Sequence, residues 1–153
     1  MNEQERGQIE RACARLATAF HVYIDSFEHD ALIGLFAENA LWVHPMMGTL
    51  SGHAEMKRYL DAKSRKPTAM HMTTNILIDV VDENHAKGTA YYAFYYDGEG
   101  RKPAPMTGPM AVGRYVDEYV RTPAGWRFSY REPKNFFTAQ GFEKLILLKS
   151  DEK

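Results

Sequence analysis

The chain has 153 residues, of which 44% are hydrophobic and 25% charged, as is typical of one globular domain, and we expect a single domain over residues 1–153. Its 19 basic and 20 acidic side chains nearly balance, which gives no electrostatic basis for binding nucleic acid or an anionic membrane. Apolar runs too short to span a bilayer and a charged N-terminus predict a cytoplasmic protein with no membrane association.

The N-terminal part of the chain is predicted to be helical. Over residues 4–27, apolar side chains recur at three- and four-residue steps, the period of an amphipathic helix, at Ile9, Cys13, Leu16, Phe20, Tyr23 and Phe27. A second, short helix is predicted for "HDALIGLFA", with Asp30 as its candidate N-terminal cap. The lone Cys13 has small apolar neighbours and is expected to be a core residue.

A hairpin, a third helix and a series of strands follow. "ALWVHPMMGTLSG" is typical of a hairpin because Pro45 and Gly48 interrupt a β-rich run, and residues 53–66 return to the helical period. After Pro67 come four β-rich runs, "MHMTTNILIDVV", "TAYYAFYYDG", "MAVGRYVDEYVR" and "WRFSYREPKNFF", and a short apolar run in "GFEKLILLKSDEK". This order predicts an α+β fold, with three helices on one face of a curved antiparallel or mixed sheet that forms a cone-shaped cavity.

Two polar residues stand out against apolar surroundings. Asp25 follows an uncharged run at the end of the first helix, and His71 lies between Met70 and Met72 in an apolar strand. Either group would be costly to bury alone, whereas as a pair the carboxylate would fix the imidazole tautomer and raise its basicity. The alternative, which spacing alone favours, is that Asp25 ends the helix in solvent while His71 forms a hydrogen bond in the core.

The arrangement of several blocks resembles a known family. "YIDSFEHDALIGLFAENALW", "GTLSGHAEMKRYL", "MHMTTNILIDV" and "GRYVDEYVRTPAGWRFSYREPKNFFT" are similar, in order and spacing, to the SnoaL-like branch of the NTF2-like superfamily. Its characterised relatives include hexachlorocyclohexane dehydrochlorinase and, more remotely, scytalone dehydratase. The resemblance implies the cone-shaped fold and assembly into a homodimer or homotrimer through the outer face of the sheet.

The resemblance also implies catalytic residues. In this family an Asp near the end of the first helix pairs with a His on the strand after the third helix, and Asp25 and His71 occupy those positions. An active-site Arg of the dehydrochlorinase matches Arg131, which could face the pocket and stabilise a departing anion or an oxyanion, with a surface ion pair as the alternative. The sequence departs from the family at Phe20, where relatives carry Lys or Tyr.

The cavity is predicted to be lined mainly by aromatic side chains. The predicted substrate-binding residues are Phe20, Tyr23, Trp42, His44, Met47, Tyr92, Tyr96 and Tyr115. With Phe20 in place of the relatives' Lys or Tyr, a donor that polarises the substrate would have to come from another residue or is absent. The candidates are Tyr23, Tyr92, Tyr96, Tyr115, Tyr130 and His44, of which His44 is preferred because it lies on the hairpin strand. Methionines clustered in "HPMMG", "TAMHM" and "APMTGPM" fit either the core or a pocket lining.

Regular strand alternation gives a further expectation about the two faces of the sheet. It places His71 on one face with Thr73, Asn75 and Leu77, and it places Arg131 on the face opposite Phe128 and Tyr130. On this basis both His71 and Arg131 would occupy the less apolar side of their strands.

The sequence predicts catalysis without a cofactor. It contains no HExxH, paired CxxC, Walker loop or GxGxxG, and a metal site built from His21, His44, His71 and Asp25 has only the weak support of one four-residue step. The leading hypothesis is a cofactor-independent lyase, a dehydratase or a related β-eliminating or carbon–carbon lyase, that acts on a hydrophobic, aromatic small molecule with the Asp25–His71 pair as general base. The alternatives are an isomerase or polyketide-type cyclase, or a non-catalytic module that binds an apolar ligand or resembles a dioxygenase small subunit.

Overall fold

A six-stranded open sheet forms the centre of the fold in the computed structural model, which describes residues 1–142. Its strands are β1 (Phe36–His44), β2 (Gly48–Ser51), β3 (Thr68–Val80), β4 (His85–Asp97), β5 (Ala111–Thr122) and β6 (Gly125–Thr138). They lie in the order β2-β1-β6-β5-β4-β3, with β1 parallel to β6 and all other neighbours antiparallel. The predicted α+β class with a curved, mixed sheet is confirmed. Most of the predicted apolar run in "GFEKLILLKSDEK" lies outside the described residues.

In the described part of the chain, three helices cover one face of the sheet: α1 (Glu3–Asp25), α2 (His29–Ile33) and α3 (Gly52–Asp61). α1 begins with a capping box, in which the Asn2 side chain accepts the Glu5 N–H and the Glu5 carboxylate accepts the Asn2 N–H. The predicted apolar stripe of α1 is buried as far as Phe20, and each large apolar side chain buried in this way contributes about 1.5–3 kcal/mol. Within residues 1–142, no helix has the length and apolar character needed to span a bilayer.

The predicted ends of the two shorter helices need correction. Asp30 is not the N-terminal cap of α2, because the helix begins at His29 after Glu28 and no side chain caps it. The segment predicted to continue this helix turns into β1 at Phe36, whose buried side chain packs in the core. α3 ends at Asp61 and does not reach residue 66.

A β-bulge in β3 overturns the predicted alternation of that strand. The register with β4 shifts between Thr74 and Leu77, and Asn75 takes a left-handed conformation with φ of 50°, which Asn tolerates better than most residues. Beyond the bulge the side chains exchange faces, so Ile78 packs against the core while Leu77 is exposed. The prediction that Asn75 and Leu77 share a face with His71 is therefore wrong.

A second bulge changes the direction of the side chains along β6. Tyr119 pairs with Phe128 but Glu118 pairs with Tyr130, which leaves Ser129 as the extra residue. Phe128 and Arg131 are consequently both buried on the same side of the sheet. The prediction that Arg131 lies on the face opposite Phe128 is wrong for this reason.

Candidate active site

A pocket of about 200 Å³ lies between the helices and the concave face of the sheet. α1 and α3 contribute one wall, and β1, β3, β4, β5 and β6 contribute the rest. The lining is mostly apolar and rich in aromatic rings, which include Phe20, Phe27, Trp42, Tyr59, Tyr92, Phe94, Tyr96 and Tyr115. A few polar side chains interrupt it, namely Asp25, His44, Lys63, Ser64, His71 and Asn135. Such a surface favours an apolar, flat ligand that is oriented by a small number of hydrogen bonds.

Asp25 and His71 are in direct contact at this pocket. One carboxylate oxygen of Asp25, Oδ1, lies 2.7 Å from Nδ1 of His71, and the other, Oδ2, accepts the backbone N–H of His71 at 2.7 Å. The two side chains are 17% and 16% exposed, so the pair is largely removed from bulk water but can be reached from the pocket. The alternative in which Asp25 faces solvent, away from His71, does not agree with this geometry.

These contacts determine which nitrogen of His71 can act as a base. An ionised carboxylate only accepts hydrogen bonds, so Nδ1 carries the ring proton and Nε2 carries the lone pair. The paired contact with the backbone and the ring also prevents Asp25 from turning away from the imidazole. In this arrangement His71 can accept a proton at Nε2 while Asp25 stabilises the imidazolium that forms.

The spacing of residues on α1 and β3 explains why the pair meets. His21 precedes Asp25 by one helical turn and contacts Thr73, which lies two residues beyond His71 on β3. Four helical residues rise about 6 Å, and two strand residues span about 6.6 Å. Two successive contacts between the helix and the strand are therefore in register, and each aligns the other.

A second polar pair in the pocket joins β1 to α3. Tyr59 Oη lies 2.7 Å from His44 Nε2, and the backbone N–H of Met46 donates to His44 Nδ1 at 3.2 Å. Because an N–H can only donate, Nδ1 is the acceptor and the proton of a neutral ring is on Nε2, directed at Tyr59 Oη. Burial raises the pKa of the Tyr59 hydroxyl far above its ordinary value, so this hydroxyl keeps its proton.

Further polar groups of the lining lie on β4, β5 and β6. Tyr92 Oη donates to Asn135 Oδ1, and Tyr115 Oη lies 3.3 Å from His21 Nε2. Burial raises the pKa of Tyr92 strongly and that of Tyr115 to about 12, so both hydroxyls are neutral. Sequence reasoning missed Tyr59 and Asn135 as pocket residues, and the only available signal was the position of Tyr59 on the apolar face of the third helix.

Arg131 does not face the pocket, and it does not form a surface ion pair. Its side chain is fully buried, with Nη1 2.8 Å from Oδ2 of the equally buried Asp117. The guanidinium carbon lies 3.6 Å from the ring centre of Tyr115 and 4.4 Å from that of Phe20, so these two rings lie against the cation and also line the pocket. Burial raises the pKa of Asp117 to about 6 against the attraction of Arg131.

The predicted substrate-binding residues divide into two groups. Two of them do not line the pocket: Tyr23 packs against the core, and Met47 is 50% exposed while its neighbour Met46 takes the lining position. The others lie on the pocket wall, namely Phe20, Trp42, His44, Tyr92, Tyr96 and Tyr115. In residues 1–142, no group of three or more His, Cys, Asp or Glu side chains is arranged to hold a metal ion.

Comparisons with known proteins agree on a family and a fold. The model of the SnoaL-like domain family matches residues 5–132. A structure from Novosphingobium aromaticivorans, provisionally assigned as a scytalone dehydratase, is 21% identical and has a TM-score of 0.74, over 90% of this chain and 91% of that one. A type 2 hexachlorocyclohexane dehydrochlorinase is 16% identical with a TM-score of 0.75, over 90% and 92% of the two chains.

A third structure with a similar fold carries a different functional assignment. It is a protein of Novosphingobium aromaticivorans provisionally assigned as an aromatic ring hydroxylase, 21% identical with a TM-score of 0.70, over 85% of this chain and 90% of that one. No curated protein matches the sequence. At these identities the similarity to solved structures establishes the fold but not the reaction.

Proposed function

This chain belongs to the SnoaL-like domain family, and from that premise we propose that it is a cofactor-independent lyase, a dehydratase or a related β-eliminating enzyme. Its proposed substrate is a hydrophobic, aromatic small molecule. The observation that carries the proposal is the hydrogen-bonded Asp25–His71 pair in a pocket lined by aromatic rings. A carboxylate–imidazole pair of this kind is a general base suited to neutral pH.

In the proposed reaction, His71 removes a proton from the substrate through Nε2. The electron pair of the broken C–H bond forms the new double bond, and the leaving group departs from the neighbouring carbon with its own bonding pair. Asp25 holds the ring by Nδ1 and stabilises the positive charge that His71 acquires. The imidazolium then returns its proton to the leaving group or to water, so the enzyme is restored without an external co-reactant.

In this proposal tyrosine hydroxyls stabilise the departing group or oxyanion, a role that the family resemblance had implied for Arg131. Tyr59 and Tyr115 line the pocket, and burial keeps both protonated because it raises their pKa values, whereas the hydroxyl of Tyr92 already donates its proton to Asn135. A neutral hydroxyl in an apolar pocket can donate a hydrogen bond to a departing group or to a developing oxyanion. Arg131 lies behind Phe20 and Tyr115 and acts on the pocket through the packing of those rings.

The names of two similar structures support an elimination reaction. One is assigned as a dehydratase and one is a dehydrochlorinase, and both words denote the removal of a small molecule from a substrate. The same base would also serve an isomerase, a carbon–carbon lyase or a polyketide-type cyclase, since each of these reactions begins with proton removal. A non-catalytic binding module would use the aromatic lining but would have no use for the paired Asp25 and His71.

Ligand screening followed by substitution of His71 tests the proposal. Aromatic metabolites that raise the melting temperature of the protein identify ligands, which are then assayed for turnover. His71→Ala is expected to lower turnover of a substrate by about 10²–10⁴-fold while affinity changes little. The matched control is His85→Ala, which removes an exposed imidazole that pairs with Asp82 away from the pocket. Full turnover by His71→Ala would contradict the proposal, and bound ligands that the wild type never converts would favour the binding module.

We also propose that the protein forms a homodimer or homotrimer through the outer face of the sheet. The strand register places Met72, Ala93, Val112 and Phe137 in one row across β3, β4, β5 and β6, and Met72 points away from the pocket because it follows His71. Met72 is 53% exposed and Phe137 is 73% exposed. An apolar row that carries two large exposed side chains, Met72 and Phe137, with the partly buried Ala93 and Val112 between them, is typical of a protein–protein interface.

A further inference from the structure

His21 is a buried histidine that the proposed reaction does not use. It lies beneath the pocket and is not part of its lining, yet its ring stacks face to face on the ring of His71. The two ring centres are 4.4 Å apart and the planes differ by 9°. On its other side, His71 is stacked against Phe94 at 4.5 Å with an angle of 22° between the planes. The imidazole of His71 is therefore held between two parallel rings.

Two hydrogen bonds keep the His21 ring in place. Nδ1 contacts Thr73 Oγ1, and Nε2 lies 3.3 Å from Tyr115 Oη. A neutral imidazole has one N–H and one lone pair, and two hydroxyls can satisfy both because a hydroxyl either donates or accepts. These two hydrogen bonds fix the orientation of the His21 ring independently of its stacking on His71.

The surroundings of His21 keep it neutral. The titratable and charged groups that face it are Asp25 on its own helix, His71 on β3, Tyr92 on β4, Tyr115 on β5 and Arg131 on β6. Burial lowers the pKa of His21 well below its ordinary value, and the positive charges of His71 and Arg131 lower it further. A neutral ring can stack on the imidazolium form of His71, whereas a charged ring at this distance would repel it.

We propose that His21 is a positioning residue for the Asp25–His71 pair: together with Phe94, its ring holds the imidazole of His71 in one plane, with Nδ1 on Asp25 and Nε2 directed into the pocket. This inference rests on the proposed function, in which His71 is the base. His21 is not itself a lining residue, and in this role it acts through His71, while its hydrogen bond to Tyr115 anchors its own ring. The four-residue step from His21 to Asp25 then has a purpose, because it presents both the stacking ring and the carboxylate to one histidine.

Two substitutions of His21 test the inference, because one removes the ring and the other removes only the hydrogen bonds of the ring. His21→Asn keeps a polar group near Thr73 and removes the stacked ring, whereas His21→Phe keeps a flat ring and loses both hydrogen bonds. The matched control is His29→Asn, which removes a second buried imidazole on α2 that contacts Phe27 and Asp61. The readout is the ¹⁵N NMR spectrum of the His71 ring in the whole protein, which reports the nitrogen that carries the proton.

We expect the orientation of the His71 ring to become less well defined only in the variant that removes the ring at position 21. In the wild type, His29→Asn and His21→Phe, Nδ1 of neutral His71 carries the proton. In His21→Asn, we expect the ratio of this form to all others to fall by about two- to tenfold, the range set by one aromatic pair. An unchanged His71 spectrum in His21→Asn would overturn the inference. If His21→Asn does not fold, loss of the Nδ1–H form in folded His21→Phe would overturn it equally.

The spectrum requires no substrate, so the inference and the proposed function can fail separately. Full turnover by His71→Ala would remove the proposed base, while the effect of His21 on the orientation of His71 would still be measured. Once a substrate is known, His21→Asn is expected to lower kcat by more than it changes KM, and His21→Phe is expected to restore most of kcat. Equal effects of His21→Asn and His29→Asn on kcat would indicate a general loss of stability and would also contradict a positioning role.

Discussion

Replacing Asp25 with Asn should reverse the protonation of His71 while keeping the shape of the pair. In the wild type, Oδ2 accepts the backbone N–H of His71 and Oδ1 faces the ring Nδ1, both at 2.7 Å. The backbone N–H can only donate, so the carbonyl oxygen of the introduced amide must take the position of Oδ2. The amide NH₂ then faces Nδ1, and because it only donates, Nδ1 becomes the acceptor and the ring proton moves to Nε2.

The expected size of the effect follows from this exchange. The lone pair of His71 would point at the amide and away from the pocket, and no carboxylate would stabilise the imidazolium. Loss of general-base catalysis predicts a fall in kcat of about 10²–10⁴-fold. Folding stability should decrease by only about 1–2 kcal/mol, since both hydrogen bonds can be replaced by weaker, neutral ones.

The assay combines turnover of a ligand found by screening with the ¹⁵N spectrum of His71. Asp25→Asn should lower kcat, leave affinity nearly unchanged and show the His71 proton on Nε2. The matched control is Asp82→Asn, because Asp82 contacts Nδ1 of His85 at 3.0 Å on the surface. Wild-type kcat in Asp25→Asn, or a ring proton that stays on Nδ1, would refute the reasoning from the hydrogen bonds.

Three further predictions concern the core, the pocket and the outer face. Burial raises the pKa of Asp117 to about 6, so between about pH 4 and about pH 6 the folded state binds more protons than the unfolded state. The stability that this group contributes is fully present below about pH 4 and is lost as the pH rises through about 6. Denaturant titrations at several pH values should show that the free energy of unfolding of Asp117→Asn lacks this decline. The same pH dependence in Asp117→Asn and the wild type would contradict the prediction. Tyr59→Phe should lower kcat by about tenfold or more with little change in KM if its hydroxyl assists the leaving group, whereas Tyr23→Phe, outside the pocket, should have no effect. Met72→Lys combined with Phe137→Asp should reduce the mass measured by light scattering to that of a monomer, and Val81→Lys, an exposed position outside the row, should not.

The helical period and the order of elements were sufficient to predict most of the architecture. The stripe from Ile9 to Phe20 is local in sequence, so the buried face of α1 could be predicted without knowledge of its partners. The contact between Asp25 and His71 could not be predicted from spacing, which favoured separate roles, and it was expected only through the resemblance to a family. What brings them together is the match between the rise of α1 and that of β3, a property of two packed elements.

The errors about the faces of the sheet concern features that depend on neighbouring strands. The bulges at Asn75 and Ser129 occur where β3 and β6 pair with β4 and β5, and each one changes the face of the side chains that follow it up to the next shift in register. The bulge at Ser129 explains why Arg131 shares a face with Phe128; the resemblance to the family had placed Arg131 at the pocket, with a surface ion pair as the alternative, whereas it is buried against Asp117 of the adjacent strand. The exchange of Met47 for Met46 on the pocket wall depends likewise on the geometry of a tight turn.

The position of a bound substrate tests the central claim most directly. A crystal structure of the Asp25→Asn variant, soaked with a ligand that the wild type converts, would trap the substrate because turnover is slow. The account predicts that Nε2 of His71 lies about 3–3.5 Å from the carbon that loses its proton, with the ligand ring against the aromatic wall. A substrate bound in this pocket with its reacting carbon out of reach of His71, or bound elsewhere on the protein, would contradict the account.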